Sequence, residues 1–209
     1  MAGDTRERIL ETALELFAQS GYPGTSMSDI SKELGITKGA LYKHYTSKQE
    51  ILDSIVERMN KMDHERAIEY EMPETEPDGC AEAYLRMPVE KIRVYGMAQF
   101  DHWTKDHFSS NFRKLLTLEQ YRDPKLAQLY QDYLSTGPTG YMAAIFRKLT
   151  DSDDTAMQLA LEFYGPIFLL YSVYDGANEK ERIAPMLNAH IERFIAKIES
   201  CYRKSGTSL

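Results

Sequence analysis

The sequence predicts an all-α protein, in which an N-terminal three-helix domain of the helix-turn-helix type precedes a larger all-helical domain. Apolar residues recur at intervals of three and four along nearly every segment, which is the period of a helix. After the first helix come two short helical segments joined by a turn with a glycine, the arrangement of a helix-turn-helix. No segment alternates well enough to be a strand. We expect the two domains to cover residues 1–47 and 48–209.

The first predicted helix spans residues 6–20, where the apolar side chains form one stripe with a period near 3.6. These side chains are Ile9, Leu10, Ala13, Leu14, Leu16 and Phe17. Gly21 follows at the position where the end of a helix favours a positive φ. The next three residues, 22–24, include a proline and a glycine and predict a turn.

Capping residues mark the start of the next three helices. Ser26 with Asp29 three residues later predicts a capping box, because the hydroxyl can accept from an early backbone N–H and the carboxylate can reach back. Gly35 ends this second helix, Thr37 caps a third short helix, and residues 47–50 repeat the capping pattern at the start of a longer fourth helix.

The remaining sequence predicts helices separated by polar turns. Residues 69–79 hold two prolines and five carboxylates and predict an exposed acidic loop. The helices that follow are expected near 88–106, 108–118, 123–149, 154–177 and 180–203. Gly137 and Pro138 should kink or break the third of these, because proline lacks an N–H donor and clashes with the preceding turn.

Composition is that of a soluble cytoplasmic protein. The N-terminus is polar and no run approaches the roughly 20 apolar residues that cross a bilayer, so we expect no secretion signal and no membrane partner. Cys80 and Cys201 lie far apart in the sequence and predict two reduced thiols. The net charge of −7 does not exclude DNA binding, because a small basic face can lie on an acidic body.

Residues 26–45 carry the predicted function. The apolar side chains of this segment should face the first helix and lock the two short helices against it. They are Ile30, Leu34, Ile36, Leu41 and Tyr45. The residues of the third helix that face solvent form the expected DNA-binding surface. Ser26 before the second helix and Lys48 after the third complete it. The full set of expected DNA-binding residues is Ser26, Thr37, Lys38, Gly39, Ala40, Tyr42, His44 and Lys48.

Two roles are expected within this surface. Base reading falls to residues 37–40, because the two small residues there let the backbone come close to base edges and the lysine can reach a guanine edge or a phosphate. Tyr42, His44 and Lys48 are expected to contact phosphates, and the free N–H groups at the start of the fourth helix add an anion site.

Residues 6–58 resemble the signature of the TetR/AcrR family of transcriptional regulators. The matching positions are Gly21, Gly24, Thr25, Ile30, Gly35, Lys38, Gly39, Leu41, Tyr42, Tyr45, Lys48 and Leu52. The family commonly has phenylalanine at the position of Tyr45, so this chain carries an extra hydroxyl that must find a partner. The remainder of the chain matches the family only in the number and order of its helices.

The resemblance implies an all-α homodimer, usually a repressor, whose first three helices bind a double-stranded DNA operator and whose other helices bind a small effector. It also implies that the last two helices pair with those of the partner. Residues 156–174 are apolar nearly all round, which favours burial on several faces and an isologous dimer. Such a dimer suits a palindromic operator. The fourth helix, near residues 48–67, is the expected lever between effector and DNA.

An aromatic-rich stretch at residues 95–146 favours a hydrophobic or aromatic effector, since ligand pockets are mostly apolar. The alternative for any one of these aromatics is that it only fills the core. The expected pocket walls are Phe100, Trp103, Tyr121 and Tyr141.

No cofactor, metal or catalytic motif is expected. His102 and Asp106 can share a helix face, but a metal site needs a third and a fourth ligand, and no companion is evident. The nucleophile elbow, the phosphate-binding glycine loops and the zinc-protease motif do not occur. Two alternatives remain open: an enzyme of unknown class, or a protein-interaction module, that carries a helix-turn-helix domain.

Overall fold

The computed structural model describes residues 2–72 and 88–201, and the regular elements in these ranges are all helices. The first four are α1 (Ala2–Ser20), α2 (Met27–Glu33), α3 (Lys38–Tyr42) and α4 (Lys48–Glu69). Those after residue 88 are α5 (Val89–Lys105), α6 (His107–Glu119), α7 (Pro124–Leu134), α8 (Thr136–Phe146), α9 (Asp153–Gly176), a 3-10 turn (Lys180–Arg182) and α10 (Ile183–Cys201). The all-α prediction is confirmed.

The helix predicted over residues 123–149 is divided into α7 and α8. Ser135, between them, has φ −136° and ψ −102° and leaves the helical region. Pro138 lies in the first turn of α8, where its missing N–H is not needed. A Cβ on Gly137 would lie 2.0 Å from the carbonyl oxygen of Asp132, so a larger residue would force the two helices apart. The predicted break therefore occurs, just before the glycine.

The predicted acidic loop begins where expected, because α4 ends at Glu69 and a turn follows. Glu71 in this turn has a φ of +49°, a left-handed conformation. Residues 73–79 of the predicted loop lie outside the described residues.

Contacts divide the described chain into two compact units. The first unit comprises residues 2–66 and 106–130, and the second comprises 67–72, 88–105 and 131–201. The sequence predicted a single division at residue 47. The structure groups the residues differently because α6 returns to pack along α1, and most of α4 belongs with α1. Such a return of the chain leaves no local sequence signal.

The core of the first unit forms around α1. Ile9, Leu14 and Phe17 from this helix are at most 1% exposed. The other side chains of this unit that are at most 1% exposed include Ile30, Leu41, Tyr45, Ile51, Ile55, Phe112 and Leu115. Burying each large apolar side chain contributes about 1.5–3 kcal/mol. This burial holds α2 and α3 firmly against α1.

The turn between α2 and α3 is fixed by local backbone hydrogen bonds. Gly35 has a φ of +67°, and its N–H donates to the Lys32 carbonyl at 3.1 Å. The N–H of Ile36 donates to the Ser31 carbonyl at 3.0 Å. These two bonds are the Schellman pattern that ends many helices. Gly35 thus sets the direction in which the chain enters α3.

The second unit is built on α9, which packs on α8, α10 and α5. Aromatic rings fill its core: Phe100 stacks on Tyr171 with ring centroids 5.4 Å apart, and Phe163 meets Phe194 at 5.1 Å. The Nε2 of His190 on α10 donates to the carbonyl of Phe163 at 2.8 Å and ties α10 to α9.

The α9 helix is long and apolar enough to cross a membrane, judged by length and composition alone. This corrects the expectation that no segment could do so, although one such helix is weak evidence of a membrane span. Only 33% of its most apolar 18-residue window is buried within the chain. The large apolar side chains that α9 leaves exposed are Met157, Leu161, Leu169 and Val173.

Candidate nucleic-acid interface

The α3 helix presents a polar and small-residue face to solvent. Leu41 on its inner side is fully buried and Tyr45 just beyond it is 1% exposed, so both anchor the helix. Lys38 and Gly39 are exposed, and Tyr42 keeps 49% of its surface exposed. The predicted division into an inward and an outward face is therefore present.

Thr37 caps α3. Its hydroxyl oxygen accepts from the N–H of Ala40 at 3.1 Å, which fixes the first turn of a helix too short to be stable alone. Ala40 is half-buried, whereas Thr37 is exposed. Residues 37–40, expected to read bases, thus occupy the capped and accessible start of this helix. His44, expected to contact phosphate, lies after its end and is half-buried.

Ser26 and Asp29 form the predicted capping box at the start of α2. The N–H of Asp29 donates to the Ser26 hydroxyl at 3.2 Å, and the N–H of Ser26 donates to the carboxylate at 2.9 Å. These bonds from Ser26 hold the pKa of Asp29 below its ordinary value. The Ser26 hydroxyl also donates to this carboxylate at 2.6 Å, so its hydrogen is already engaged.

Lys48, expected to contact phosphate, also holds the folded structure together. Its Nζ donates to the carbonyl of Tyr22 at 2.6 Å and to the carbonyl of Thr25 at 2.7 Å. The ammonium also lies 4.3 Å from the centre of the Tyr22 ring. Burial lowers the pKa of Lys48, and the charge of Glu119 partly offsets this. An ammonium has three N–H donors, so one is left for a phosphate.

The start of α4, expected to offer free N–H groups to an anion, already has a carboxylate beside it. The N–H of Glu50 donates to the Ser47 hydroxyl at 3.1 Å, as the capping pattern predicts. The Glu50 carboxylate accepts from both the N–H and the hydroxyl of Thr46, at 2.6 and 2.7 Å, and this holds its pKa below the ordinary value. The negative charge of Glu50 disfavours a phosphate close to this end of α4.

Sequence reasoning missed two residues of this region. Arg6 at the start of α1 places its guanidinium 4.6 Å from the centre of the Tyr45 ring, which brings a second cation beside α3. Glu119 at the end of α6 accepts a hydrogen bond from the N–H of Tyr22 at 3.1 Å. Arg6 could have been noticed as a cation in the first turn of the domain. Glu119 could not, because 97 residues separate it from its partner.

The four aromatics expected to line an effector pocket do not come together as a group. Phe100 and Trp103 lie in the core of the second unit, 1% and 7% exposed, and Tyr141 is half-buried in the same unit. Trp103 meets the Tyr133 ring edge-on at 6.3 Å. Tyr121 is 89% exposed in the first unit, so the expectation that it lines a pocket is corrected.

A surface cleft of about 420 Å³ occurs elsewhere in the second unit. Tyr70, Lys91 and Val94 are among its lining residues, and none of the expected pocket residues belongs to it. The two residues that were considered and rejected as metal ligands have other roles: His102 packs against Trp103, and Asp106 accepts from the N–H of Ser109 at 2.8 Å to cap α6. Among the described residues no group of three or more His, Cys, Asp or Glu could hold a metal ion.

Residues 9–55 match the family model described as bacterial regulatory proteins, tetR family. This segment runs from α1 into α4 and contains the whole of α2 and α3. The match therefore covers the helices whose exposed face is described above.

Named relatives match part of the chain. The HTH-type transcriptional regulator AcrR of Shigella flexneri is 39% identical over 70 residues, which is 34% of this chain and 33% of AcrR. The biofilm operon icaADBC HTH-type negative transcriptional regulator IcaR of Staphylococcus epidermidis is 44% identical over 52 residues, 25% of this chain and 28% of its own. The chain thus spans about a third or less of the length of these relatives.

Solved structures match nearly the whole chain. A TetR-like transcriptional regulator from Rhodococcus sp. RHA1 superposes with a TM-score of 0.64 at 20% identity, covering 91% of this chain and 96% of its own. The SmeT–triclosan complex superposes with a TM-score of 0.62 at 19% identity, covering 93% and 91%. At this level of identity the likeness concerns the fold alone.

The fold and the exposed face of α3 define a helix-turn-helix DNA-binding domain joined to a second helical unit. Residues 9–55 carry the DNA-binding domain of the TetR/AcrR family of transcriptional regulators.

Replacing Lys48 by methionine should lower the free energy of unfolding by about 1–2 kcal/mol, because two partly buried carbonyls lose a charged donor. Lys43→Met is the matched control: this lysine is exposed at the end of α3, and its loss should change stability by less than about 0.5 kcal/mol. Urea unfolding of both variants measures the difference. Equal stability of the two variants would show that the Lys48 bonds do not hold the domain together.

Proposed function

We propose that this protein is a cytoplasmic, ligand-responsive transcriptional repressor. It binds a palindromic operator as a homodimer and leaves it when a small, largely hydrophobic effector binds. The observation that carries the proposal is the face of α3: an exposed, capped helix held on a buried three-helix core, within the segment that matches the tetR family model.

The local charge of this face supports DNA as its partner. Lys32, Lys38 and Lys43 are all exposed on or next to α2 and α3. A basic face attracts the phosphate backbone even when the whole chain carries a net charge of −7. The exposed small residue Gly39 leaves room for the helix to approach base edges in the major groove.

Selection of DNA from a random double-stranded library should enrich an inverted repeat. Lys38→Ala should change the preferred sequence, because this side chain is assigned to base edges. Tyr42→Phe should weaken binding to all sequences by a similar factor, about fivefold, since one phosphate hydrogen bond is lost. Fluorescence anisotropy at several salt concentrations measures both effects.

The control for these variants is Lys114→Ala, which removes one exposed charge from α6 in the same unit. It should leave the preferred sequence unchanged. If Lys38→Ala keeps the wild-type preference while Tyr42→Phe alters it, the assignment of roles is wrong. If the wild-type chain enriches no sequence, the proposal of an operator-binding regulator fails.

Dimerisation is supported by the face that α9 leaves exposed. Leu169 is 65% exposed and Leu161 is 47% exposed, and Met186 on α10 is 55% exposed. A membrane-length apolar helix that is only one-third buried needs a further apolar partner, and a second copy of the same helix supplies a self-complementary one. The dimer places two recognition helices on one face of a duplex.

The wild-type chain should therefore sediment at twice the mass of the 24.0 kDa chain. Leu169→Arg should shift it to the monomer, because an arginine buried in an apolar interface leaves an unpaired charge. Ile68→Arg is the control: this residue is similarly exposed, at 54%, but lies at the end of α4. Sedimentation equilibrium measures the mass of each variant in solution. A Leu169→Arg variant that remains dimeric argues for another interface.

The effector is proposed to bind in the second unit near Phe100, Trp103 and Tyr141. The aromatic core there suits a hydrophobic or aromatic compound, and the similarly folded SmeT was solved in complex with triclosan. The fourth helix is the proposed lever, because α4 is continuous from the first unit into the second.

Trp103 is the single tryptophan of the chain and is 7% exposed, so its fluorescence reports directly on this region. Titration with a panel of hydrophobic aromatic compounds, triclosan among them, should quench or shift the emission. The same compounds should release operator DNA, because coupling between two sites is reciprocal. A compound that changes the emission at saturation but leaves the DNA affinity unchanged contradicts the proposed coupling.

A further inference from the structure

A buried carboxylate lies at the turn between α1 and α2. Glu119, the last residue of α6, is 0% exposed. Its Oε1 accepts from the N–H of Tyr22 at 3.1 Å, while its Oε2 has no hydrogen-bond partner among the described residues. A guanidinium nitrogen of Arg122 lies 3.9 Å from Oε1, and this side chain is 61% exposed. The carboxylate is thus aimed at one backbone group of the turn.

The turn is shaped to receive this carboxylate. Gly21 has a φ of +80°, and a Cβ on it would lie 2.5 Å from Oε1 of Glu119. Gly35 also has a left-handed φ, but a Cβ there would meet nothing within 4 Å. Glycine at position 21 therefore serves the approach of Glu119 as well as the backbone conformation.

The same turn is held from its other side by Lys48. Its Nζ bonds the carbonyls of Tyr22 and Thr25, so Tyr22 has its N–H fixed by α6 and its carbonyl fixed by α4. The turn leads directly into Ser26, the cap of α2. A change in either support alters how α2 and α3 lie against α1.

Stability alone does not explain a carboxylate at this position. A buried carboxylate with one oxygen unpaired is costly, although its charge offsets part of the burial of the Lys48 ammonium. Buried polar groups of this kind are kept in some proteins because they specify one arrangement. The cost of burial at Glu119 points to a requirement on the geometry of the turn.

We propose that Glu119 is a positioning residue for DNA binding, through which α6 sets the geometry of the recognition helices. This rests on the proposed function. Asp106 alone separates α6 from α5, which belongs to the second unit, so α6 is directly linked along the chain to the unit proposed to bind effector. Withdrawal of Glu119 from Tyr22 frees the turn and lowers operator affinity.

The test compares Glu119→Leu and Glu119→Gln with the wild-type chain. Glu119→Leu should unfold at a lower urea concentration, because the Tyr22 N–H loses its acceptor. While still folded, it should bind the selected operator about tenfold more weakly, which corresponds to about 1.4 kcal/mol. Glu119→Gln should lie between it and wild type, because an amide oxygen can still accept from the Tyr22 N–H. Hydrogen exchange of the Tyr22 amide should be faster in the leucine variant.

Glu57→Gln is the matched control, since it removes the same charge from an exposed position of α4; it should behave as wild type in every measurement. Operator affinity of Glu119→Leu equal to wild type, with a folded chain, overturns the proposal. If the leucine variant does not fold, Glu119→Gln provides the test. Unchanged operator affinity of this variant, together with unchanged hydrogen exchange of the Tyr22 amide, overturns the proposal. If the wild-type chain enriches no DNA, the proposed function fails, while exchange at Tyr22 still decides whether the carboxylate holds the turn.

Discussion

The short turn between α1 and α2 is the constraint on which the DNA-binding unit depends. The ammonium of Lys48 holds it on one side and the carboxylate of Glu119 on the other. Both side chains bond backbone groups that are more than 20 residues away in the sequence. Because α2 begins directly after this turn and Gly35 fixes the step from α2 to α3, the position of α3 follows from it. The apolar core supplies the stability, and these polar contacts set the geometry.

Features that arise from neighbouring residues could be predicted from the sequence. The capping box of Ser26 and Asp29, the left-handed Gly35 and the cap at Thr37 are all present as expected. Each depends on a backbone group within a few residues of the side chain, so spacing alone is informative. The same holds for the break before Gly137.

Features that arise from contacts between distant segments could not be predicted. The position of α6 on α1 changes the division of the chain, and it brings Glu119 to a turn 97 residues away. The sequence also could not predict which residues of the aromatic-rich stretch are buried. Phe100 is packed in a core while Tyr121 is almost fully exposed, although both are aromatic. Composition shows that aromatic residues are present but gives no information on which face of a helix carries them.

Locating α3 on the operator tests most directly whether this helix reads the DNA. An iron chelate attached through Lys43→Cys, in a chain with Cys80→Ser and Cys201→Ser, cleaves the DNA backbone close to the end of this helix. Two clusters of cleavage related by symmetry are expected, about one duplex turn (roughly 10 base pairs) or a multiple of it apart, on the major-groove side of a selected operator. Cleavage that is absent, or uniform along the bound duplex, would contradict the claim that α3 reads the DNA.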